Sequence, residues 1–460
     1  MKVPLLVIGG GLSGLAAAVR AARFVPEVLI IEKHTRLGGL NSYFYRNKTL
    51  YETGLHAITN YAPPREKSAP LNRLFRQLKL KRKDFSFCQQ VQSEVIFLGC
   101  ESLLFSNDFD LLLEQINFKF PHCIDNFQKL LLFINTIDPF QPSPFCSAKG
   151  KINEILGDRL LTDMLLCPLM FYGSSHENDM DLNQFVIMFQ AIYLQGLFRP
   201  LGTIKEFLDH LLHHYHSFGG TLRTNAGAVK LLYKDSTVYG VKLENGEIIE
   251  CDQVVSTIGL DETRKLLSKE VEFIQPRLGF TETIYEIKPG ESDSLPENKT
   301  IIFYNDSDKF SYGSPDDYVD HSSGVICFPG SFQGIERKNV VEIRATHLAN
   351  YAKWKNIASS KDEYLALKRR TSRKTVTNLE NIVGSFNTNI VYENSFTPVT
   401  IERYTAKIGG AIYGTPLKVK DGDIGFNNLF LAGTDQGFLG IVGSMLSGVS
   451  IVNQHILAKL

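Results

Sequence analysis

Apolar residues run unbroken from Leu5 to Ile8, stop at Gly9-Gly10-Gly11, and then recur at Leu12, Leu15, Ala16, Val19 and Ala22. An unbroken run reads as a strand buried on both faces, here Val3 to Ile8, with Pro4 tolerated because it falls at the strand's start. The spacing after the glycines is helical. A second apolar run, Val28 to Ile31, ends in Glu32. The pattern predicts strand, tight turn, helix, strand. Lys2 ahead of an apolar run also mimics a secretory leader, but the apolar region of a leader has no use for three consecutive glycines.

Further along, Ile204, Phe207, Leu208, Leu211 and Leu212 predict a helix that follows the turn Phe198 to Thr203. Gly219 to Arg223 and Val229 to Leu232 predict strands. Val238 to Leu243, Glu247 to Cys251 and Val254 to Ser256 predict a β-meander returning to the first sheet. Near the end, Asn428 to Ala432 predicts a strand closing in Gly433-Thr434-Asp435, and Gly440 to Gly448 opens a final helix. Elements of one sheet are thus scattered along the chain. They divide it into a discontinuous domain, 1–75, 196–265 and 395–460, and an inserted one, 76–195 and 266–394. Joints at Pro63-Pro64, Pro200, Gly259 and Pro398 suit these limits.

Composition narrows the picture. The chain has 460 residues, 43% apolar and 21% charged, with zero formal net charge. This is ordinary for a soluble protein of several domains and gives no global field for nucleic acid. Seven cysteines, an odd number with no C-x-x-C pair, point to reduced thiols in the cytoplasm and to no zinc site. No charge-free apolar stretch of about 18–20 residues is expected to span a bilayer. His210, His213, His214 and His216 cluster, but no cysteine or carboxylate completes a metal set. Basic residues between 71 and 83 interleave with Leu71, Leu74, Phe75 and Leu78, making a candidate peripheral contact with the inner face of a membrane. Lys368-Arg369-Arg370 with Arg373-Lys374 form a second basic run.

The chemistry lies in the glycines. Gly9 to Gly14 spell G-x-G-x-x-G, and Glu32 follows Gly14 by 18 residues, near the roughly 20 of dinucleotide-binding units. Gly9 permits the turn, Gly11 lets backbone approach a pyrophosphate, and Gly14 lets the helix pack on the strand. The helix N-terminus favours phosphate, and Glu32 can accept from a ribose. Arg36-Leu37-Gly38-Gly39-Leu40-Asn41-Ser42 then resembles the R-x-G-G-x-x-S/T stretch of the flavoprotein superfamily of amine oxidases, protoporphyrinogen oxidases and phytoene desaturases. That resemblance implies an α/β fold: a Rossmann-like FAD-binding domain of glutathione reductase type, with its β-meander, carrying an inserted α+β substrate domain. It implies that Leu12, Ser13, Lys33, Arg36, Gly38, Gly39 and Ser42 join Gly9, Gly11, Gly14 and Glu32 around FAD. Main-chain groups of Val229 would hold adenine and Asp435 the ribityl chain. Gly433, Ile441 and Val442 would bring the final helix to the flavin. The family's Pro-x-Gly-Gly turn appears here as Pro200-Leu201-Gly202-Thr203.

Tyr51-Glu52-Thr53-Gly54-Leu55-His56, Thr397 to Thr405 and Gly410-Ala411-Ile412-Tyr413-Gly414 resemble stretches of phytoene desaturases, carotenoid isomerases and retinol saturases. The implied activity is FAD-dependent redox chemistry at carbon–carbon bonds of an apolar, polyunsaturated lipid of isoprenoid, carotenoid or retinoid type, with hydride transfer at flavin N5. Gln436 to Gly440 carries no Trp or Tyr for an amine cage, which disfavours the rival reading, a flavin amine oxidase with an atypical cage; a polyene isomerase without net redox and a non-catalytic flavin-binding carrier remain alternatives. His56 is the candidate proton-handling group, with Arg403, Tyr404 and Tyr413 shaping the site. Leu165 to Tyr172 is a candidate tunnel wall. A single G-x-G-x-x-G unit predicts no second, nicotinamide-binding module. The oligomeric state stays open.

Overall fold

A computed structural model describes residues 1–141, 143–269, 277–288, 295–296, 298–336 and 339–460. The first predicted unit is present as strand β1 (Lys2–Ile8), helix α1 (Leu12–Ala22) and strand β2 (Val28–Ile31). β1 lies between β2 and strand Ile248–Ser256, parallel to both. Thr221–Arg223 continues the sheet beyond β2, and Leu429–Leu431 runs parallel to the second half of Ile248–Ser256. Strands Thr237–Leu243 and Ala228–Lys234 complete the meander along its first half. The sequence pattern splits 247–256 into two strands, whereas the structure makes one. Its first half alternates exposed and buried residues beside the meander, its second is buried, and the polar joint is carried by exposed Asp252, paired with Lys2 at 2.8 Å.

α1 and the final helix Gly440–Ile451 pack together over this sheet. A Cβ on Gly448 would lie 2.2 Å from the Ser13 carbonyl oxygen, so only glycine allows the contact. The apolar stretch 440–459 is long and hydrophobic enough to cross a membrane, which corrects the expectation of none. Its low charge has a local reason: half of the window is buried in the protein, much of it against α1.

A second, seven-stranded sheet runs in the order Ile390–Phe396, Gly279–Ile287, Val341–Ala349, Ser323–Cys327, Ile301–Asn305, Ser93–Phe97, Ser102–Phe105. Both its faces are covered. Helices between 109 and 189 bury one through Phe280, Ile301, Phe303 and Val325. Helix Lys361–Val383 buries the other through Tyr285, Tyr304, Ile326 and Ile343. Three short strands, Ile58–Thr59, Leu197–Pro200 and Phe87–Gln89, pair beside the two large sheets. Helix Pro70–Leu78 sinks Leu71, Leu74, Phe75 and Leu78 into the core under α1. The apolar half of the basic segment 71–83 is therefore core, and only Arg73, Arg76, Lys79, Lys81 and Lys83 are exposed.

Candidate active site

Open α/β sheets bind ligands beyond the carboxyl ends of their strands. Here that edge opens into a cavity of about 940 Å³. Gly9 and Gly11 after β1, Glu32 after β2, Thr257 after the third strand and Gly433 after Leu429–Leu431 all line it. So do Leu12, Ser13, Arg36, Gly38, Gly39, Ser42 and Ile441, together with His56, Arg403, Tyr404 and Tyr413.

Two helices begin at this cavity without a side chain capping their first turn: α1 at Gly11 and the final helix at Leu439. Their free N–H groups and positive dipole ends favour an anion or electron-rich ring edge. The hydroxyl of Ser13 is buried and has no hydrogen-bond partner among the described residues. A Cβ on Gly11 would meet nothing within 4 Å, whereas one on Gly14 would lie 2.0 Å from the Gly9 carbonyl oxygen. The first glycine thus borders open space, and the second holds helix on strand. The carboxylate of Glu32 accepts from the backbone N–H of Gly10 (2.6 Å) and of His34 (2.7 Å), which fixes it at the cavity wall. These groups suit a dinucleotide with a pyrophosphate.

Other residues singled out in the sequence lie off the cavity. Gly14 is enclosed by the helix–strand contact. Lys33 reaches Glu244 on the surface at 3.5 Å. Val229 is exposed on its meander strand. Val442 is buried among the helices. Asp435 is buried too, but its carboxylate accepts from the N–H groups of Leu260 (2.7 Å) and Thr415 (2.8 Å), so it braces loops behind the cavity. Thr203, where the family has a second glycine, caps helix Ile204–Ser217 by accepting from the Glu206 N–H.

The proposed proton-handling and shaping residues separate. Tyr404 packs edge-on against His34, beside Glu32, and Arg403 lies over its ring. His56 and Tyr413 stand elsewhere in the cavity, among Ala57, Phe171, Tyr172, Phe280 and Val325. Tyr413 packs on Phe280 with centroids 5.8 Å apart and donates to the Phe171 carbonyl. Burial holds the Tyr413 and Tyr172 hydroxyls protonated, well above the usual phenol range. The Tyr172 hydroxyl is buried with no partner among the described residues, a donor facing the cavity.

His56 has partners that the sequence pattern did not reveal. Its Nε2 lies 2.8 and 3.0 Å from the two carboxylate oxygens of Glu282. Thr346 donates to the same carboxylate. Glu282 and Thr346 stand opposite one another across antiparallel strands, in the register Glu282↔Thr346, so both face one side of the sheet. Two pairs further along, and so on the same face, Arg344 is wholly buried, 2.5 Å from Glu342 and 3.8 Å from Glu282. Burial alone would lower its pKa, but Glu342, Glu282 and Glu52 outweigh it and raise it, so the guanidinium stays charged. From the other side Arg199 donates to the carbonyls of Leu55 and His56 and pairs with Glu52, whose other oxygen accepts from the Ile204 N–H. The stretch 52–56 is thereby fixed and His56 with it.

The histidine cluster is tied to backbone: His214 bonds the Leu78 carbonyl at 2.8 Å and His216 that of Gly220 at 2.8 Å. Among the described residues, His122, Cys123 and Asp158 gather their ligand atoms within 4.8 Å of one another, and none of the three lines the cavity.

Fold and cavity together define an FAD-dependent oxidoreductase with a second large sheet beside the one that carries the glycine-rich turn. The model of the flavin containing amine oxidoreductase family matches residues 12–453, and the chain belongs to that family. Human all-trans-retinol 13,14-reductase is 23% identical over 552 aligned residues, which cover 100% of this chain and 86% of that protein. The 4,4'-diaponeurosporene oxygenase of Staphylococcus aureus is 21% identical, covering 90% of this chain and 88% of its own. The solved structure of an oxidoreductase from Methanosarcina mazei shares the fold, with a TM-score of 0.66 at 16% identity over 98% of this chain and 100% of that one. The expected amine oxidase and phytoene desaturase superfamily, the α/β fold and the FAD cofactor are borne out.

Proposed function

We propose that the chain adds hydrogen to, or removes it from, a carbon–carbon bond of an apolar, polyunsaturated, isoprenoid-like lipid. The observation that carries this reading is the wall of the cavity around His56: Ala57, Phe171, Tyr172, Phe280, Val325 and Tyr413 are apolar or aromatic, and the polar groups are few, with His56, Glu282 and Thr346 bonded to one another and the Tyr172 hydroxyl without a partner among the described residues. The printed names of the two relatives, a retinol reductase and a diaponeurosporene oxygenase, support it. Leu12, Ser13, Glu32, Arg36, Gly38, Gly39 and Ser42, with Gly433 and Ile441, would hold the FAD. Bound FAD supplies acceptance or donation of a hydride. The apolar wall orients the chain and excludes water. The complementary proton leaves or reaches the neighbouring carbon through His56, whose ring is oriented by Glu282.

One observation favours the amine reading: Glu282 is an acid in the cavity, and a cation is attracted to such a group. Arg344 and His56 already face that carboxylate, which weakens its pull. The experiment is anaerobic mixing of flavin-loaded protein with linear polyenes, following flavin absorbance and the extracted lipid. Bleaching with a more conjugated product means desaturation. Saturated or isomerised products appearing only after prior reduction mean saturation or isomerisation. Peroxide formed in air with amines, and no change with any polyene, would sink the lipid reading. We place the protein in the cytoplasm at the inner face of a membrane, touching anionic lipid through exposed Arg73, Arg76, Lys79, Lys81 and Lys83. Salt-sensitive flotation with vesicles containing phosphatidylserine, lost when these five become glutamine, checks that.

A further inference from the structure

A second cavity, of about 750 Å³, shares no lining residue with the flavin cavity. It lies behind the segment 416–420 and the loop 436–439. Gln184 stands in its wall, 4% exposed, and both ends of its amide, Nε2 and Oε1, are buried with no hydrogen-bond partner among the described residues. Buried amides are ordinarily satisfied, so an unpaired donor and acceptor on one cavity wall call for a ligand that supplies both.

The neighbours say what kind. The other buried side-chain amides of the cavity are occupied. Asn60 donates to Gln195 (2.9 Å), Asn183 to Ser143 (2.7 Å) and Gln436 to the Lys420 carbonyl (2.7 Å). Of the charges, Arg73 is exposed, and the other three are engaged. Lys418 donates to the Tyr413 carbonyl at 2.7 Å, Lys420 to that of Gln141 at 2.8 Å, and Asp181 caps helix Leu182–Phe189. Among the described residues, no buried charge is left unpaired there to select a charged head. The walls include Phe438, stacked on Phe140 with centroids 5.3 Å apart, and Leu417, Leu446 and Phe145. Phe140, Phe145 and Leu417 count among the exposed large apolar side chains of the chain, and all three border this cavity.

We propose that this second cavity is a binding site for an uncharged amphipathic molecule: an apolar body ending in a hydroxyl or carboxamide that pairs with both ends of the Gln184 amide. The site is separate from the redox reading and does not depend on it.

Calorimetric titration of the flavin-loaded protein tests this, with 1-decanol and decanamide as probes and decanoate and decyltrimethylammonium as charged comparators. The two neutral probes should bind at one site, and the charged ones about tenfold more weakly. Gln184→Leu should weaken decanol by about five- to thirtyfold, the range set by one or two net hydrogen bonds. The variant's unchanged flavin content and spectrum report an intact fold. Leu446→Trp, which fills the cavity, should remove binding of all probes. The proposal is overturned if no neutral probe binds, if charged chains bind as well, if Gln184→Leu leaves the affinity untouched, or if binding survives Leu446→Trp and shifts the flavin spectrum, which would put the probe in the other cavity.

Discussion

Two glycines three positions apart, Gly11 and Gly14, should fail in opposite ways when given a side chain. Gly11 is the N-cap of α1 with φ −70° and ψ 176°, backbone that any residue adopts. Its Cβ would meet nothing within 4 Å. Gly11→Val should therefore cost the empty protein only about 1 kcal/mol, the difference between glycine and a β-branched residue at an N-cap. The side chain would instead fill the space in front of the helix terminus where a pyrophosphate must come. With free FAD at about 100 times Kd, binding stabilises the wild-type protein by about 2.7 kcal/mol. For a chain of this length that corresponds to a rise in Tm of about 3 °C. Gly11→Val should lose this rise and purify colourless, while melting within a few degrees of flavin-free wild type. Gly14→Ala should behave differently. Its Cβ would lie 2.0 Å from the Gly9 carbonyl oxygen and 3.0 Å from Thr257, so helix and strand must part, at about 1–3 kcal/mol or more of apoprotein stability. The assay is flavin-to-protein absorbance after purification, then thermal melts with and without added FAD. Gly11→Val carrying stoichiometric flavin would refute the phosphate assignment. An empty Gly11→Val that melts as low as Gly14→Ala would refute the claim that the space before Gly11 is free.

Other outcomes follow from the same geometry. His56→Gln should keep its flavin and lose about 10²–10⁴ in turnover, the usual worth of a positioned acid–base group; stopped-flow flavin reduction by the active polyene checks it, and an unchanged rate removes His56 from the chemistry. Arg344→Leu leaves Glu282 and Glu342 without their buried counter-charge and should destabilise by about 3–5 kcal/mol in urea melts; a loss below about 1 kcal/mol would mean the pair is already relaxed by water. Cys100 and Cys146 are exposed, whereas Cys88, Cys123, Cys167, Cys251 and Cys327 are buried, and burial pushes the Cys251 and Cys327 thiols up to about 12. A thiol reagent at mild alkaline pH should find two fast groups in native protein and seven after unfolding; a third fast thiol would contradict the packing. Burial brings the Lys418 ammonium down from 10.5 to about 8. The unfolded chain then holds a proton that the folded one has shed between those values, so stability should rise as pH climbs from about 8 to 10.5. Lys418→Met should flatten that rise, by at most about 3 kcal/mol, in melts of both proteins at the two ends of the window.

What could be read from the chain alone was whatever lay close together in it. The βαβ unit is visible because its glycines, its helical spacing and its terminal acid fall within residues 3–32, and the structure reproduces all three. The motif at 397–405 is visible for the same reason, yet much of it is local bracing: Thr397 and Thr400 form a capping box around Pro398, and the Tyr364 hydroxyl bonds Thr397 at 2.6 Å. A motif match does not separate residues that face a ligand from those that hold up their neighbours. Asp435 shows this most clearly, since it follows a glycine that lines the cavity while its own carboxylate is held by two backbone amides behind it. The partners of His56 were out of reach for a different reason. Glu282 and Thr346 are 64 residues apart, each in a mostly buried strand whose pattern marks it only as core, and their meeting depends on the pairing register of two strands. Gln184 is hidden likewise: within the apolar helix Leu182–Phe189 it resembles an ordinary polar residue near a helix start, and only the absence of a partner sets it apart. The cofactor end of such a chain is written in local backbone geometry, because phosphates are bound by turns and helix ends. The substrate end is written in long-range pairing, so relatives that keep the first can change the second, and it is there that the chemistry of this protein has to be measured.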